Sequence, residues 1–302
     1  MNATRRLDHE LRSVLADAGL HGSFLVRDLH TGEEIGLDPD REYPVASLVK
    51  VPLALATLDR IHRGELDGAT MILVPPGRVD TPGPTGVTRF RHPAHIALDD
   101  LLYLAVSISD NSAADALFAL TPPPQVLNTL HRLGVRGLTV RHPLSALSDT
   151  LVEQLPPGQA DVAHELAIRA GTDGRGHRIP QLDLARANTG TARAFADLLE
   201  AIWHPTRLAE PVGRRLRELL AANVHRQRLA PDFTSDASTW SSKTGTLLNL
   251  RHETGVVEHA DGQRYAVVVL TESTVPAVNQ TAAEATMAHV ARALRDQLRS
   301  VG

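Results

Sequence analysis

In this chain β-compatible segments cluster near the two ends, and the long stretch between them carries helical periodicity, an arrangement few folds satisfy. Ser23 to Leu29 is rich in strand-forming residues, Thr31-Gly32 supplies a turn, and Glu33 to Leu37 returns, so the spacing predicts a hairpin. At the other end, Ser238 to Lys243, Gly255 to His259 and Tyr265 to Thr271 are alternating or β-branched, with Asp261-Gly262 as a turn. Such ends pair most simply in one sheet, with the helical block inserted between them as a lobe of its own. The expected division is an α/β lobe from residues 1–45 and 222–302 and an all-helical lobe over 46–221.

Helices bracket this plan. Leu7, Leu11, Val14, Leu15 and Ala18 recur at helical spacing before Gly19, and Thr281 to Leu298 closes the chain. Leu48 to Ile61 reads as a helix whose only proline, Pro52, falls in its first turn, which puts Ser47 at the helix mouth. Gly64 to His95 is rich in proline and glycine and predicts an irregular crossing. Further helices are expected at Leu98 to Ser107, Asn111 to Leu120, Gln125 to Leu133, Gln159 to Ala170, Thr191 to Ile202 and Pro211 to Val224.

Composition narrows the function. At 302 residues and 42% hydrophobic the chain can bury a substantial core. Its 31 basic and 35 acidic residues are scattered, which offers no footprint for nucleic acid or an anionic membrane. There is no cysteine, hence no disulfide, thiolate metal site or cysteine nucleophile. The fifteen histidines include no H-E-x-x-H, and His92-Pro93-Ala94-His95 sits beside proline in irregular chain, so neither a metal nor a cofactor is expected. No run reaches the length of a membrane-spanning helix, and Met1 to Leu20 lacks the unbroken apolar stretch of a signal peptide. As it stands the sequence reads as cytoplasmic; an exported protein trimmed of its signal would read the same.

Ser47-Leu48-Val49-Lys50 sets a hydroxyl and an ammonium one helical turn apart, on one face. Alone, the quartet reads equally well as an N-cap serine with a lysine on a solvated face. Ser109-Asp110-Asn111 follows at a corner between two helices, and Lys243-Thr244-Gly245 at the end of a strand. Taken singly, these are capping residues and an ordinary strand end; all three in this order are a far rarer coincidence. A G-x-S-x-G elbow is absent, since Val45-Ala46 precede Ser47, which disfavours a Ser-His-Asp hydrolase.

The three motifs make the chain resemble the class A serine β-lactamases and the related penicillin-binding proteins, including the D-alanyl-D-alanine peptidases. YPVASLVKVPLALA and TGVTRFRHPAHIALDDLLYLAVSISDNSAADAL strengthen the likeness, which covers most of the chain except roughly 140–190. The resemblance implies an α+β fold of the β-lactamase/transpeptidase type, an antiparallel five-stranded sheet with flanking helices plus an all-helical lobe. It implies Ser47 as nucleophile, Lys50 managing its proton, and Ser109 relaying a proton to the leaving nitrogen. Asn111 would bind the substrate's acylamide, Lys243 and Thr244 its carboxylate, and the amides of Ser47 and Thr246 the oxyanion. Gly245 would let the strand approach the substrate closely. A lysine lowered by burial and neighbouring positive charge can deprotonate a serine, and Lys243 could supply that charge.

The deacylating E-x-x-L-N sequence of class A enzymes is missing. The corresponding stretch reads TVRHPLSALSDTL, with Asp149 and Glu153 the next acids, and an atypical insertion lies near 143–182. Glu165 offers a substitute, although its amphipathic context fits an exposed helical glutamate better. Pro156 to Leu182 reads either as a mobile lid or as a passive surface insertion. Arg251 and Glu253 read as a surface ion pair, with Arg251 also a candidate carboxylate ligand. A slowly hydrolysing acyl-enzyme, or one resolved by another acceptor, is expected on a small-molecule or short-peptide acyl substrate, a β-lactam, D-alanyl peptide or simple ester. A non-catalytic β-lactam- or peptide-binding protein of the same fold, or a simple esterase, is the alternative. Oligomeric state is not encoded legibly, and a monomer is the default.

Overall fold

The computed structural model describes residues 3–77, 85–147, 159–170, 174–277 and 279–301. The chain opens with α1 (Ala3–Asp17), β1 (Leu20–Asp28), β2 (Glu34–Leu37) and the short β3 (Tyr43–Pro44). A 3-10 turn over Ala46–Val49 runs directly into α2 (Lys50–His62). Then come β4 (Met71–Val74), β5 (Ala94–Ala97), α3 (Leu98–Ser107), α4 (Asn111–Leu120), α5 (Pro123–Leu133) and β6 (Leu138–Thr139). The rest is α6 (Ala160–Arg169), β7 (Thr189–Gly190), α7 (Ala192–Trp203), α8 (Glu210–Ala221), α9 (Ala230–Phe233), β8 (Ser238–Leu247), β9 (Leu250–His259), β10 (Arg264–Ser273) and α10 (Thr281–Val301).

The main sheet is antiparallel in the order β2-β1-β10-β9-β8, so strands from both ends of the chain meet where β1 pairs with β10. Alternation along the strands fills two cores. Phe24, Val26, Val267 and Val269 pack with Leu11 and Leu15 of α1 and Met287 and Leu294 of α10. Leu25, Val256, Val268 and Leu270 turn to the opposite face, toward the helical block built around α2. The fold is therefore α+β, an antiparallel five-stranded sheet with helices on both faces.

α2 is the axis of that block: Val51, Leu53, Ala54, Leu55 and Ala56 are all fully buried, so the helix is enclosed on every side. Pro52 sits in its first turn, where a missing N–H leaves no gap in the helical ladder.

Three expectations need correction. The crossing read as irregular between Gly64 and His95 contains the β4–β5 hairpin, whose Ile72 and Ile96 pack against the larger core; four-residue strands are too short to show a period. The third motif lies inside β8 rather than at its end, because Thr244, Gly245 and Thr246 continue the ladder opposite Glu253, His252 and Arg251. Arg251 and Glu253 are buried, not a surface pair. Arg251 donates to the carbonyls of Leu248, Leu250 and Ala277, while Glu253 accepts from Trp240 Nε1, Ser242 Oγ and the Leu229 amide.

Within the insertion, Ala163 and Ala167 of α6 pack with Ile179, Leu182 and Leu250, so its described part rests on the β8–β9 hairpin. Asp149, Glu153 and residues 156–158 and 171–173 lie outside the described residues.

Candidate active site

Ser47 is carried by a strap held on one side by β7. Tyr43 and Pro44 pair with Gly190 and Thr189, and the Val45 amide donates to Asn188 O at 2.9 Å. Ala46 then takes a φ of +48°, a left-handed conformation that costs a non-glycine residue free energy, and the chain tightens so that the Leu48 amide meets Val45 O at 3.0 Å. Ser47 is thus inside the 3-10 turn, not an N-cap, and its side chain is partly exposed.

Lys50, one turn on, has no exposed surface, because it belongs to the enclosed helix. Its Nζ lies 3.2 Å from Ser47 Oγ, 2.7 Å from Ser109 O, 3.2 Å from Ser109 Oγ and 2.7 Å from Asn111 Oδ1. Burial lowers its pKa to about 7, against the opposing pull of Asp110 and Asp115.

The corner between α3 and α4 is held by Asp110, which caps α4 by accepting from the Ser112 and Ala113 amides at 2.9 and 3.2 Å. The same carboxylate accepts from Thr88 Oγ1 at 2.7 Å and from the Val87 amide. The capping role thus belongs to Asp110, leaving the side chains of Ser109 and Asn111 for the lysines. Ser109 has a φ of +62°, a second strained residue at the site.

β8, the edge strand, supplies the third wall. Lys243, fully buried, donates to Ser109 Oγ at 2.9 Å and to Thr244 O at 2.8 Å. Two amines therefore meet at one hydroxyl. Burial, and then the charge of Lys50 and Arg228, push the Lys243 pKa well below its ordinary value. Thr244 is buried and Thr246 exposed. A Cβ on Gly245 would stand 3.0 Å from Val45 O and 3.1 Å from Leu48 Cγ. The glycine thus admits the strap bearing Ser47, a closer constraint than the approach of substrate anticipated from the motif.

Every predicted site residue falls in this region, with Ser47, Lys50, Ser109, Asn111 and Lys243 joined by one set of hydrogen bonds. Glu165 points elsewhere: it pairs with Arg169 at 2.6 Å on α6 and is about half exposed. Among the described residues, no carboxylate hydrogen-bonds Ser47.

Residues that no motif flagged complete the surroundings. Arg228 is buried behind β8 and donates to Gly245 O at 3.0 Å, His252 O at 2.8 Å and Thr246 Oγ1 at 2.7 Å, with Glu284 as counter-ion. Asp115, one turn beyond Asn111, accepts from the Leu144 and Ser145 amides at 2.6 and 3.0 Å, and burial raises its pKa. His252 lies opposite Gly245 in the ladder. Their signal was available only for Asp115, from its one-turn offset; Arg228 and His252 depend on strand register.

Known proteins carry the same framework. A family model described as the beta-lactamase enzyme family matches residues 6–298. A Streptomyces cacaoi protein named beta-lactamase regulatory protein BlaB is 65% identical over 301 residues, covering 96% of each chain. A beta-lactamase from Chitinophaga pinensis superposes with a TM-score of 0.76 at 21% identity, over 98% of this chain and 100% of that one. A variant of PBP-A, solved as an acyl-enzyme complex with penicillin G, gives 0.74 at 16% identity over 98% and 97%. On the extent of the family match and the identity to BlaB, the chain belongs to the beta-lactamase enzyme family.

Proposed function

We propose that this protein forms a covalent acyl-enzyme on Ser47 with a β-lactam, a D-alanyl peptide or a related amide or ester, and that the adduct is slow to hydrolyse. The observation that carries this reading is the setting of Lys50 Nζ. A neutral amine has two hydrogens and one lone pair. The two short contacts, to Ser109 O and Asn111 Oδ1, are to pure acceptors and take both hydrogens, which leaves the lone pair for a hydroxyl proton.

Ser47 Oγ bonds to the acyl carbon as its proton passes to Lys50 Nζ. On collapse the carbon–nitrogen or carbon–oxygen bond breaks, and the leaving atom takes the proton of Ser109 Oγ, which Lys50 restores. Lys243 supports that hydroxyl. Asn111 and the Lys243-Thr244-Gly245 strand hold the acylamide and carboxylate ends of the substrate, and the amides of Ser47 and Thr246 receive the oxyanion, each such donor lowering the barrier by about 3 kcal/mol. For the second step, no carboxylate among the described residues hydrogen-bonds Ser47, which supports a long-lived adduct.

The name of the 65% identical relative favours a use for that persistence: occupancy of Ser47 as the signal of a regulatory protein rather than a step in clearing substrate. Incubation with penicillin G should add the mass of the intact drug to the protein, on Ser47 by peptide mapping, and Ser47→Ala should stay unlabelled. Absence of an adduct with penicillin, an activated ester and a D-alanyl ester would overturn acylation. Hydrolysis of penicillin at many turnovers per minute would overturn persistence.

A further inference from the structure

β7 pairs with the strap before Ser47 on one side; on the other, β8 packs against it at Gly245, and an imidazole of the main sheet hydrogen-bonds it at Pro44. His252 of β9 is fully buried, with Nε2 2.9 Å from Pro44 O and Nδ1 3.1 Å from the Thr271 amide of β10. The two partners assign its protons. A backbone amide can only donate, so Nδ1 is the acceptor; a carbonyl can only accept, so Nε2 carries the hydrogen. The ring is thereby fixed as one neutral tautomer, spanning from the central strands to the strap three residues before the nucleophile. Tyr43 stands edge-on to it with centroids 6.2 Å apart, and on the β8 side its Cβ lies 3.3 Å from where a side chain on Gly245 would begin.

We propose that His252 is a positioning residue for Ser47: a neutral strut whose bond to Pro44 O holds the strained turn at Ala46 in register with β8. The inference rests on Ser47 being the acylated residue. Protonation at Nδ1 would set a hydrogen against the Thr271 N–H and break the inner end of the strut. The charges facing the ring oppose that state: Arg228 donates to the carbonyl of His252 itself, Arg251 precedes it on β9, and no carboxylate is among its hydrogen-bond partners among the described residues. A glutamine can still donate to Pro44 O from a side-chain amide, whereas a phenylalanine fills the same volume with no donor.

The test compares the full-length wild type with His252→Gln and His252→Phe by intact-mass kinetics of acylation with penicillin G at pH 7, circular dichroism confirming the fold of each. The Phe variant should lose about a hundredfold in the limiting acylation rate, the scale set by a misplacement near one ångström. Its half-saturating penicillin concentration should stay within about threefold of wild type, and Gln should recover most of the rate. A folded Phe variant acylating at the wild-type rate, or a Gln variant as slow as Phe, overturns the proposal. Should the variants not fold, ring nitrogen NMR of the wild type decides. A neutral ring protonated at Nε2 at pH 7 supports the strut, and a charged ring or the other tautomer overturns it. Failure of wild-type Ser47 to label at all would count against acylation, while the NMR result still judges the strut.

Discussion

Lys50 shows how a packing decision becomes a chemical one. Its ammonium would be costly in a helix enclosed on every side, and that burial outweighs the favourable charges of Asp110 and Asp115. The folded pKa of about 7 sets the sign of the pH dependence: below it the amine is protonated and cannot accept the Ser47 proton, above it the base is free. Acylation followed by mass spectrometry should therefore fall about tenfold per pH unit below pH 7 and level off above it. Lys50→Met should lower the acylation rate by about a thousandfold or more, since an activating base is lost. The same variant should unfold at the same or a higher urea concentration, because a buried ionisable group has been exchanged for an apolar one of similar length. The sequence made this pair legible as a spacing, but gave no means to distinguish a solvated lysine from an enclosed one; that depends on how many helices close around α2.

At the scale of elements, the α3–α4 corner stands on one carboxylate. Asp110 is completely buried and meets donors from Val87, Thr88, Ser112 and Ala113, so it fastens the connection between β4 and β5 to the start of α4. Asp110→Ala should destabilise the protein by about 3 kcal/mol in urea unfolding, because several buried donors lose their acceptor at once. Asp110→Asn, which keeps one acceptor oxygen, should cost less. The serine and asparagine on either side would be displaced with it, so acylation should fall in both variants. Helices of ten residues or more were legible in the sequence because apolar periodicity marked them, as in α3, α4, α7 and α8. β3, β6 and β7, two residues each, were not, although they are what holds the strap before Ser47. Nor were the true lengths of β8 and β9, where Thr244, Arg251 and Glu253 look polar and the buried partners that satisfy them are distant in sequence.

At the scale of the whole molecule, two cores share one sheet, and the imidazole of His252 lies where the sheet meets the helical block. Burial brings its pKa down to about 4, so the folded ring stays neutral where an unfolded histidine, near 6.5, is already taking up a proton. Between those values the unfolded chain binds more protons, and stability falls as pH falls. The contribution over that window is about 3 kcal/mol. Urea unfolding from pH 7 to pH 4 should therefore lose more stability in the wild type than in His252→Gln. The expected lobe arrangement came from the distribution of strands along the chain. The insertion did not come from it, since its packing against Leu250 has no counterpart in local periodicity.

The meeting of β1 with β10, and of Ser109 with Lys243, also sets an order in time. A ribosome that has translated as far as residue 237 has already made Ser47, Lys50 and the 109–111 corner, yet the wall that completes them is still unwritten. Contacts spanning most of a chain form late. On the acylation proposed for Ser47, a chain arrested at residue 237 should therefore stay unlabelled by penicillin G.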